Sequence, residues 1–341
     1  MAPLSAASLY DGPPRFFQRL QGAAWRRFGR ARPAIIKLVR MIKPNLIHAH
    51  FGFDGVEAWP IAQALGVPLL VTLHGSDITT AMDWFAAGRA GRRWQSYPAR
   101  LARLAQQPRV SFVAVSENIL QAALSAGLPA EKLTVRYIGV DTKRFAPGGL
   151  PVGQRAPVIL LLGRLVEKKG ARYLLDAFEI VRRKMPAAEL VIAGDGPEKQ
   201  ALAARAVAIG GVRLTGAFNP AQARDLLASA RVLCAPSITA QSGDAEGLQI
   251  AILEAQASGV PVVTSARGGA TEGILDGETG FAFAERDVEA MAAHLIQLLS
   301  ENTLAQAFST AAARFAAQKF EIGRCTAALE TLYDQAAGFS Q

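Results

Sequence analysis

Ala146-Pro-Gly-Gly-Leu-Pro-Val-Gly-Gln-Arg-Ala-Pro157 divides the sequence. Three prolines and three glycines in twelve residues cannot continue a helix or a central strand, so 147–157 reads as a linker. On its C-terminal side the pattern alternates short apolar runs with longer amphipathic ones. Val158–Leu162, Leu190–Ala193, Val212–Thr215, Val232–Ala235 and Val260–Thr264 read as strands. Helices are expected over Ala171–Lys184, Glu198–Ile209, Ala221–Ser229 and Leu248–Ala257, with a helical tail from Asp287 to about Gln335. On its N-terminal side Leu46–His50, Pro68–His74 and Val110–Val115 read as strands, with a helix through Trp59 to Leu65. Continuous apolar runs of this kind are parallel strands buried on both faces. Two successive series of such units predict two doubly wound α/β domains facing a cleft, over 1–146 and 158–320, with a last helix over 321–341 that crosses back to the first.

The chain has 341 residues, half of them apolar and 19% charged, which excludes wholesale disorder. No apolar run is long enough to span a bilayer, and Met1-Ala-Pro-Leu-Ser lacks a signal-peptide pattern, so a cytoplasmic location is expected. Cys234 and Cys325 stand far apart and outside any CxxC, which reads as two buried, reduced thiols. The net charge of +9 is uneven, with +11 over residues 1–150 and −2 over 151–341. A basic half implies an anionic partner. Nucleic acid is not expected, since there is no zinc-finger spacing, aromatic RNA-binding string or basic zipper. Phe16, Phe17, Leu20, Ala24 and Phe28 form a helical stripe among Arg15, Arg19, Arg26, Arg27 and Arg30, and Ile35, Leu38, Val39 and Ile42 resume it after Pro33. Such a helix either packs on its own domain or touches the anionic inner face of a membrane.

Chemistry-bearing residues fall at strand ends, where open α/β sheets bind ligands. Gly163-Arg164 and Lys169-Gly170 follow the first strand of the second half, and a guanidinium and an ammonium there suit a pyrophosphate. Glu246 and Glu254 stand eight residues apart; on one helix that is a rise of about 12 Å, comparable to the span from sugar to ribose in a nucleotide sugar. Carboxylates accept from paired hydroxyls, and the amides of Gly247 and Leu248 would open the helix as an anion site. Spacing alone equally allows two surface charges on an ordinary helix. In the first half His74 follows a strand beside Gly75, and His48 and His50 share a strand face. No acid with metal-site spacing accompanies these histidines, so no metal and no other cofactor is expected.

Taken together, these segments resemble the retaining glycosyltransferases of family 4, which have the GT-B fold. Gly163-Arg164…Lys169-Gly170 is similar to that family's phosphate-binding motif, and Glu246…Glu254 to its E-x7-E motif. Ala193-Gly-Asp-Gly-Pro197, Gly259-Val-Pro-Val-Val263, Gly268-Gly269…Glu272 and Asp276-Gly…Gly280 follow in the family's order. So do His48-Ala-His-Phe-Gly52, His74-Gly-Ser-Asp77, Val115-Ser-Glu117 and Ile138-Gly-Val-Asp141…Phe145. The HAHFG and DAEGL variants are similar to the branch that builds exopolysaccharide and colanic-acid-type polymers.

The resemblance implies transfer of a sugar from a nucleotide-diphosphate sugar to a saccharide or lipid-linked acceptor in polysaccharide or glycoconjugate biosynthesis. Arg164 and Lys169 would bind and stabilise the diphosphate, Glu246 the sugar hydroxyls, Glu254 the ribose, and the Gly247 and Leu248 amides the phosphate or sugar. His74 would lie at the reaction centre. Front-face attack with retention would need no protein nucleophile and no metal. Two features depart from the pattern. About 44 helical, basic residues stand where the family has an earlier strand and glycine loop, so the first domain is expected to lack its first strands and to expose a sheet edge. Gln249 stands where a small residue or proline is usual. A non-catalytic nucleotide-sugar-binding remnant and another GT-B enzyme, such as a sugar-nucleotide epimerase, are the alternative readings.

Overall fold

A computed structural model describes residues 33–338. The stripe read over residues 16–28 lies outside them. Among the described residues the first half holds four parallel strands, β1 (Ile47–His50), β2 (Leu69–Leu73), β3 (Val110–Ala114) and β4 (Leu133–Val135), in the order β1-β2-β3-β4. Helices α1 (Pro33–Ile42), α2 (Gly52–Leu65), α3 (Met82–Ala86), α4 (Tyr97–Ala105) and α5 (Glu117–Ser125) accompany them. Among the described residues β1 is an edge strand, paired only with β2.

The second half holds a six-stranded parallel sheet ordered β10-β9-β8-β5-β6-β7. Its strands are β5 (Val158–Leu162), β6 (Glu189–Ala193), β7 (Val212–Gly216), β8 (Val232–Ala235), β9 (Val262–Ser265) and β10 (Gly280–Phe283). The chain winds from β5 outward through β6 and β7, then returns to β8 and winds the other way. The order therefore reverses beside β5, the position where a doubly wound sheet leaves a crevice. Helices α6 (Ala171–Lys184), α7 (Lys199–Ile209), α8 (Pro220–Ser229), α9 (Ile250–Ala257), α10 (Val288–Ser300) and α11 (Asn302–Lys319) cover the sheet.

The pattern of α6 explains why it forms. Leu174, Leu175, Phe178 and Val181 recur at helical spacing and are fully buried, while Arg172, Asp176, Glu179 and Arg183 point away. Gly170, at φ 64°, starts the helix, and Pro186 follows its end at Lys184.

Four observations differ from the sequence reading. Strand β4, of three residues, was too short for periodicity to reveal, and β10 begins at Gly280, in a glycine-marked loop. Cys325, read as buried, is half-buried, whereas Cys234 is buried. The tail from Asp287 is divided into three helices, and the last, α12 (Ile322–Ala337), lies against the first half. There Arg136 Nε donates to the Ala328 carbonyl at 3.2 Å. Finally, the glycine- and proline-rich segment is no free tether. The buried Arg155 guanidinium donates to the carbonyls of Gly148, Leu150, Leu227 and Ala230, and Arg231 donates to those of Gly153, Arg155 and Leu298. Two buried cations satisfied by carbonyls and Asn302 fasten the segment to the second sheet. No helix among the described residues is long and apolar enough to cross a membrane.

Candidate functional site

The loops after the strands of the second sheet carry the expected cations. Gly163 follows β5, and the Gly194 turn after β6 packs on it so closely that a Cβ at Gly194 would strike the Gly163 carbonyl. Only glycine fits there, at φ 155°. The Lys169 side chain lies over Gly163, and its Nζ is 3.2 Å from Glu246 Oε1. Lys168 Nζ is 3.1 Å from Asp244 and 3.8 Å from Glu246. Arg164 is exposed, and its guanidinium makes no ion pair among the described residues. The Lys169–Glu246 contact is an ion pair without hydrogen-bond alignment, so the buried Oε1 of Glu246 retains its acceptor capacity.

The Glu246…Glu254 segment corrects the sequence reading. Helix α9 begins at Ile250 after the N-cap Gln249, so Glu246, Gly247 and Leu248 are in a buried loop and the two glutamates do not share one helix. Gln249 has a structural use, since its Oε1 accepts from the buried Ser237 hydroxyl at 3.2 Å. The Gly247 and Leu248 amides do not open a helix, and neither donates a hydrogen bond among the described residues. Buried amides without acceptors are rare, and two in succession form a donor pair for an anion. Glu254 lies on α9, half-buried. Burial pushes its carboxyl up to about 7, against the pull of Arg144.

The first half meets this loop directly. A Cβ at Gly247 would strike the His74 carbonyl, so the E-x7-E loop and the His74 loop are in backbone contact. Ser116 Oγ donates to the Gly247 carbonyl at 3.0 Å, and Thr79 Oγ1 to Asp244 Oδ1 at 3.1 Å. Glu272 reaches across with both oxygens, accepting from the Glu117 and Asn118 amides at 2.9 Å each, and from Tyr137 Oη at 3.0 Å. It thereby caps α5, the orphan amides of which favour a carboxylate.

His74 itself is hydrogen-bonded through Nε2 to His50 Nδ1 at 2.9 Å. Burial, then His50 and His48, hold His74 down to about 4; burial, then His50, do the same to His48. Asp77, fully buried, accepts from the amides of Gly52 at 2.7 Å, Gly75 at 2.9 Å and His74 at 3.2 Å. Burial raises its carboxyl, and these amides oppose that rise. One side chain thus ties the turn after β1 to the turn after β2. No group of three or more His, Cys, Asp or Glu among the described residues is arranged to hold a metal ion.

Sequence reasoning named His74, Arg164, Lys169, Glu246, Gly247, Leu248 and Glu254. The structure gathers Lys169, Glu246, Gly247 and the His74 backbone, with Arg164 on the same strand-end loop as Lys169. Lys168, Asp77, Ser116 and Tyr137 were given no role; their signal was a place within or beside the motifs that carried the resemblance.

Comparison with known proteins accords with this arrangement. Residues 5–144 match the Glycosyltransferase Family 4 domain, and residues 156–301 the Glycosyl transferases group 1 domain. Glycogen synthase of Mycobacterium tuberculosis is 28% identical over 281 residues, 80% of this chain and 64% of that protein. The amylovoran biosynthesis glycosyltransferase AmsK of Erwinia amylovora is 29% identical over 260 residues, 74% of this chain and 61% of that one. The chain thus spans less than two thirds of the length of these relatives. The crystal structure of Anabaena HepE in complex with UDP superposes with a TM-score of 0.75 at 22% identity, covering 89% of this chain and 82% of that one. Two family domains in tandem on two parallel sheets, joined at a glycine-packed cleft, place this chain in glycosyltransferase family 4, with the GT-B fold.

Proposed function

We propose that this chain transfers a sugar from a nucleotide-diphosphate sugar to a saccharide or lipid-linked acceptor, with retention at the anomeric carbon. The observation that carries this reading is the buried loop at Gly247 and Leu248. It holds two unspent amides and an unspent Glu246 oxygen beside the Lys169 ammonium, against the His74 carbonyl. Amides and cations suit a diphosphate, and the carboxylate suits sugar hydroxyls. Glu254 takes the ribose hydroxyls. A cavity of about 310 Å³ bordered by Thr215, Phe218, Gln222 and Asp225 opens at the end of β7, next to the Gly194 turn, where a base would follow the phosphates.

The acceptor oxygen bonds to the anomeric carbon on the face that the diphosphate leaves. The electron pair of the broken bond departs with the diphosphate, one oxygen of which takes the acceptor proton. Arg164 and Lys169 balance the charge that develops there, so the reaction calls for no metal, and a chelator leaves its rate unchanged.

The test is thermal unfolding with UDP, GDP, ADP, CDP and dTDP, beside Arg164→Ala and Glu254→Ala. A ligand at a hundred times its dissociation constant adds about 2.7 kcal/mol, a rise of several degrees. One nucleotide should raise the wild-type midpoint and neither variant's; no response to any nucleotide would refute a donor site. Product formation only in the presence of an acceptor then separates transfer from epimerisation. The anomeric coupling of the product decides retention.

A peripheral membrane contact is a further part of this reading. Helix α1 buries no residue and exposes Leu38, Met41 and Ile42 beside Lys37, Arg40 and Lys43. An apolar ridge flanked by cations suits an anionic bilayer. Failure to co-sediment with anionic liposomes at low salt would remove it.

A further inference from the structure

The three histidines of the first half form one row. His48, on β1, is held at both ring nitrogens, with Nδ1 2.7 Å from Tyr333 Oη and Nε2 2.7 Å from Thr72 Oγ1. His50 lies against it with ring centroids 4.4 Å apart, and its Nδ1 bonds to His74 Nε2. Phe51 closes the other side of His74 at 4.6 Å. Phe51 has φ 69°, a conformation that a bulky side chain rarely adopts. It is fixed by its amide donating to the Thr72 carbonyl at 2.7 Å, and by Asp77 accepting from the next residue, Gly52. A strained aromatic residue held against a histidine, at the mouth of a cleft, is a constraint that ordinary packing does not require.

We propose that His50 is a positioning residue for His74, and that Tyr333 of the C-terminal helix anchors the far end of the same row. The proposal rests on the transferase reading above, in which His74 lies beside the donor sugar.

The hydrogen bond links the tautomers of the two rings. In a neutral pair, one hydrogen lies between His50 Nδ1 and His74 Nε2. If His50 donates it, His74 carries its own ring hydrogen on Nδ1, and His50 Nε2 is an acceptor. If His74 donates it, His74 Nδ1 is bare and His50 Nε2 is a donor. The pair therefore presents one donor and one acceptor at its outer nitrogens, and neither ring changes alone. His50 is exposed, so it can orient His74 without being part of the core. Tyr333 arrives from α12, a helix whose sequence follows the second sheet, so the row contains residues from both ends of the chain.

The sequence has four histidines, so long-range proton–nitrogen NMR on the intact chain resolves the row. His294, stacked on Phe281 in the second half, is the internal reference. In the wild type His50 and His74 should show matching tautomers, both Nδ1–H or both Nε2–H. His50→Phe keeps a ring but removes the hydrogen bond, and should shift the His74 ring-nitrogen signals. His50→Asn, whose amide can donate to or accept from His74 Nε2, should return them toward the wild-type values. Tyr333→Phe should shift His48 and leave His294 unmoved. In transfer assays His50→Phe should lower kcat about tenfold with donor KM unchanged, and His50→Asn should recover most of it. Unchanged His74 signals in His50→Phe would overturn the contact. Changed signals with unchanged kcat would overturn the positioning role, and an unmoved His48 in Tyr333→Phe would overturn the anchor. A wild-type chain that transfers nothing would sink the transferase reading and the catalytic half of this proposal, while the NMR result still decides the hydrogen bond.

Discussion

The two sheets differ in how fully they are enclosed. In the second, β8 and β9 are buried throughout, and β5 and β6 are buried except at their first residues. In the first, only β2 is buried along its whole length; β1 ends in an exposed histidine, and β4 is half-buried. The second half buries its four central strands, leaves its edge strand β7 without a buried residue, and holds the charged loops. The other is a smaller sheet of four described strands, the first of which ends in His50. Burial at both faces gives independent stability, whereas the first sheet depends more on its neighbours, including α12 and the contacts of Glu272.

The sharpest way to test that difference uses an accident of composition. All four tryptophans, Trp25, Trp59, Trp84 and Trp94, belong to the first half, so their fluorescence reports it alone, while circular dichroism reports both. Phe178→Ala empties the core under α6 and should cost about 3–5 kcal/mol. If the halves unfold separately, this variant moves the dichroism transition and leaves the fluorescence midpoint in place. Coincident shifts would instead show that the cleft contacts fuse the halves into one cooperative unit.

A smaller effect is expected at the contact itself. Glu272→Gln alters the side chain that accepts from two amides and a tyrosine hydroxyl, and should cost about 1.5–3 kcal/mol. Its signature is a widening gap between the two midpoints.

A further effect concerns pH. Burial raises the Glu254 carboxyl to about 7, above its ordinary 4.5, so the folded chain holds that proton more tightly than the unfolded one. The resulting stability is full below the unfolded value and is lost as pH rises toward 7. Glu254→Gln should flatten that part of the stability profile. Ribose hydroxyls favour the ionised carboxylate, so nucleotide binding near pH 6 should release close to about one proton per site. Calorimetry in buffers of different ionisation enthalpy measures it.

The same contrast explains what the sequence disclosed. Val158–Leu162, Ala171–Lys184 and Val232–Ala235 were legible to the residue, because continuous apolar runs and a 3.6-residue stripe are determined by local burial. Strand β4, with no fully buried residue, left no such imprint. Lys169 and Glu246 were legible as charges at strand ends, but their pairing was not, since it joins loops far apart in sequence. The helix start was misplaced for a local reason. Leu248 looks like the first apolar residue of a stripe, yet it is buried in a loop whose amides are left open. Tyr333 was invisible for the plainest reason, as nothing in its neighbourhood marks a partner nearly three hundred residues earlier.

Arg155 and Arg231 have a mechanical consequence. Because they rivet 148–155 to the second sheet, a swing between the halves would turn about the chain's two crossings, one before that segment and one at residues 320–322. These crossings touch each other, where the Val140 amide donates to the Phe320 carbonyl at 2.7 Å and the Ile322 amide to that of Val140 at 3.0 Å. Any opening of the cleft about these crossings would carry α12 together with the first half, to which Tyr333 and the Ala328 carbonyl bind it.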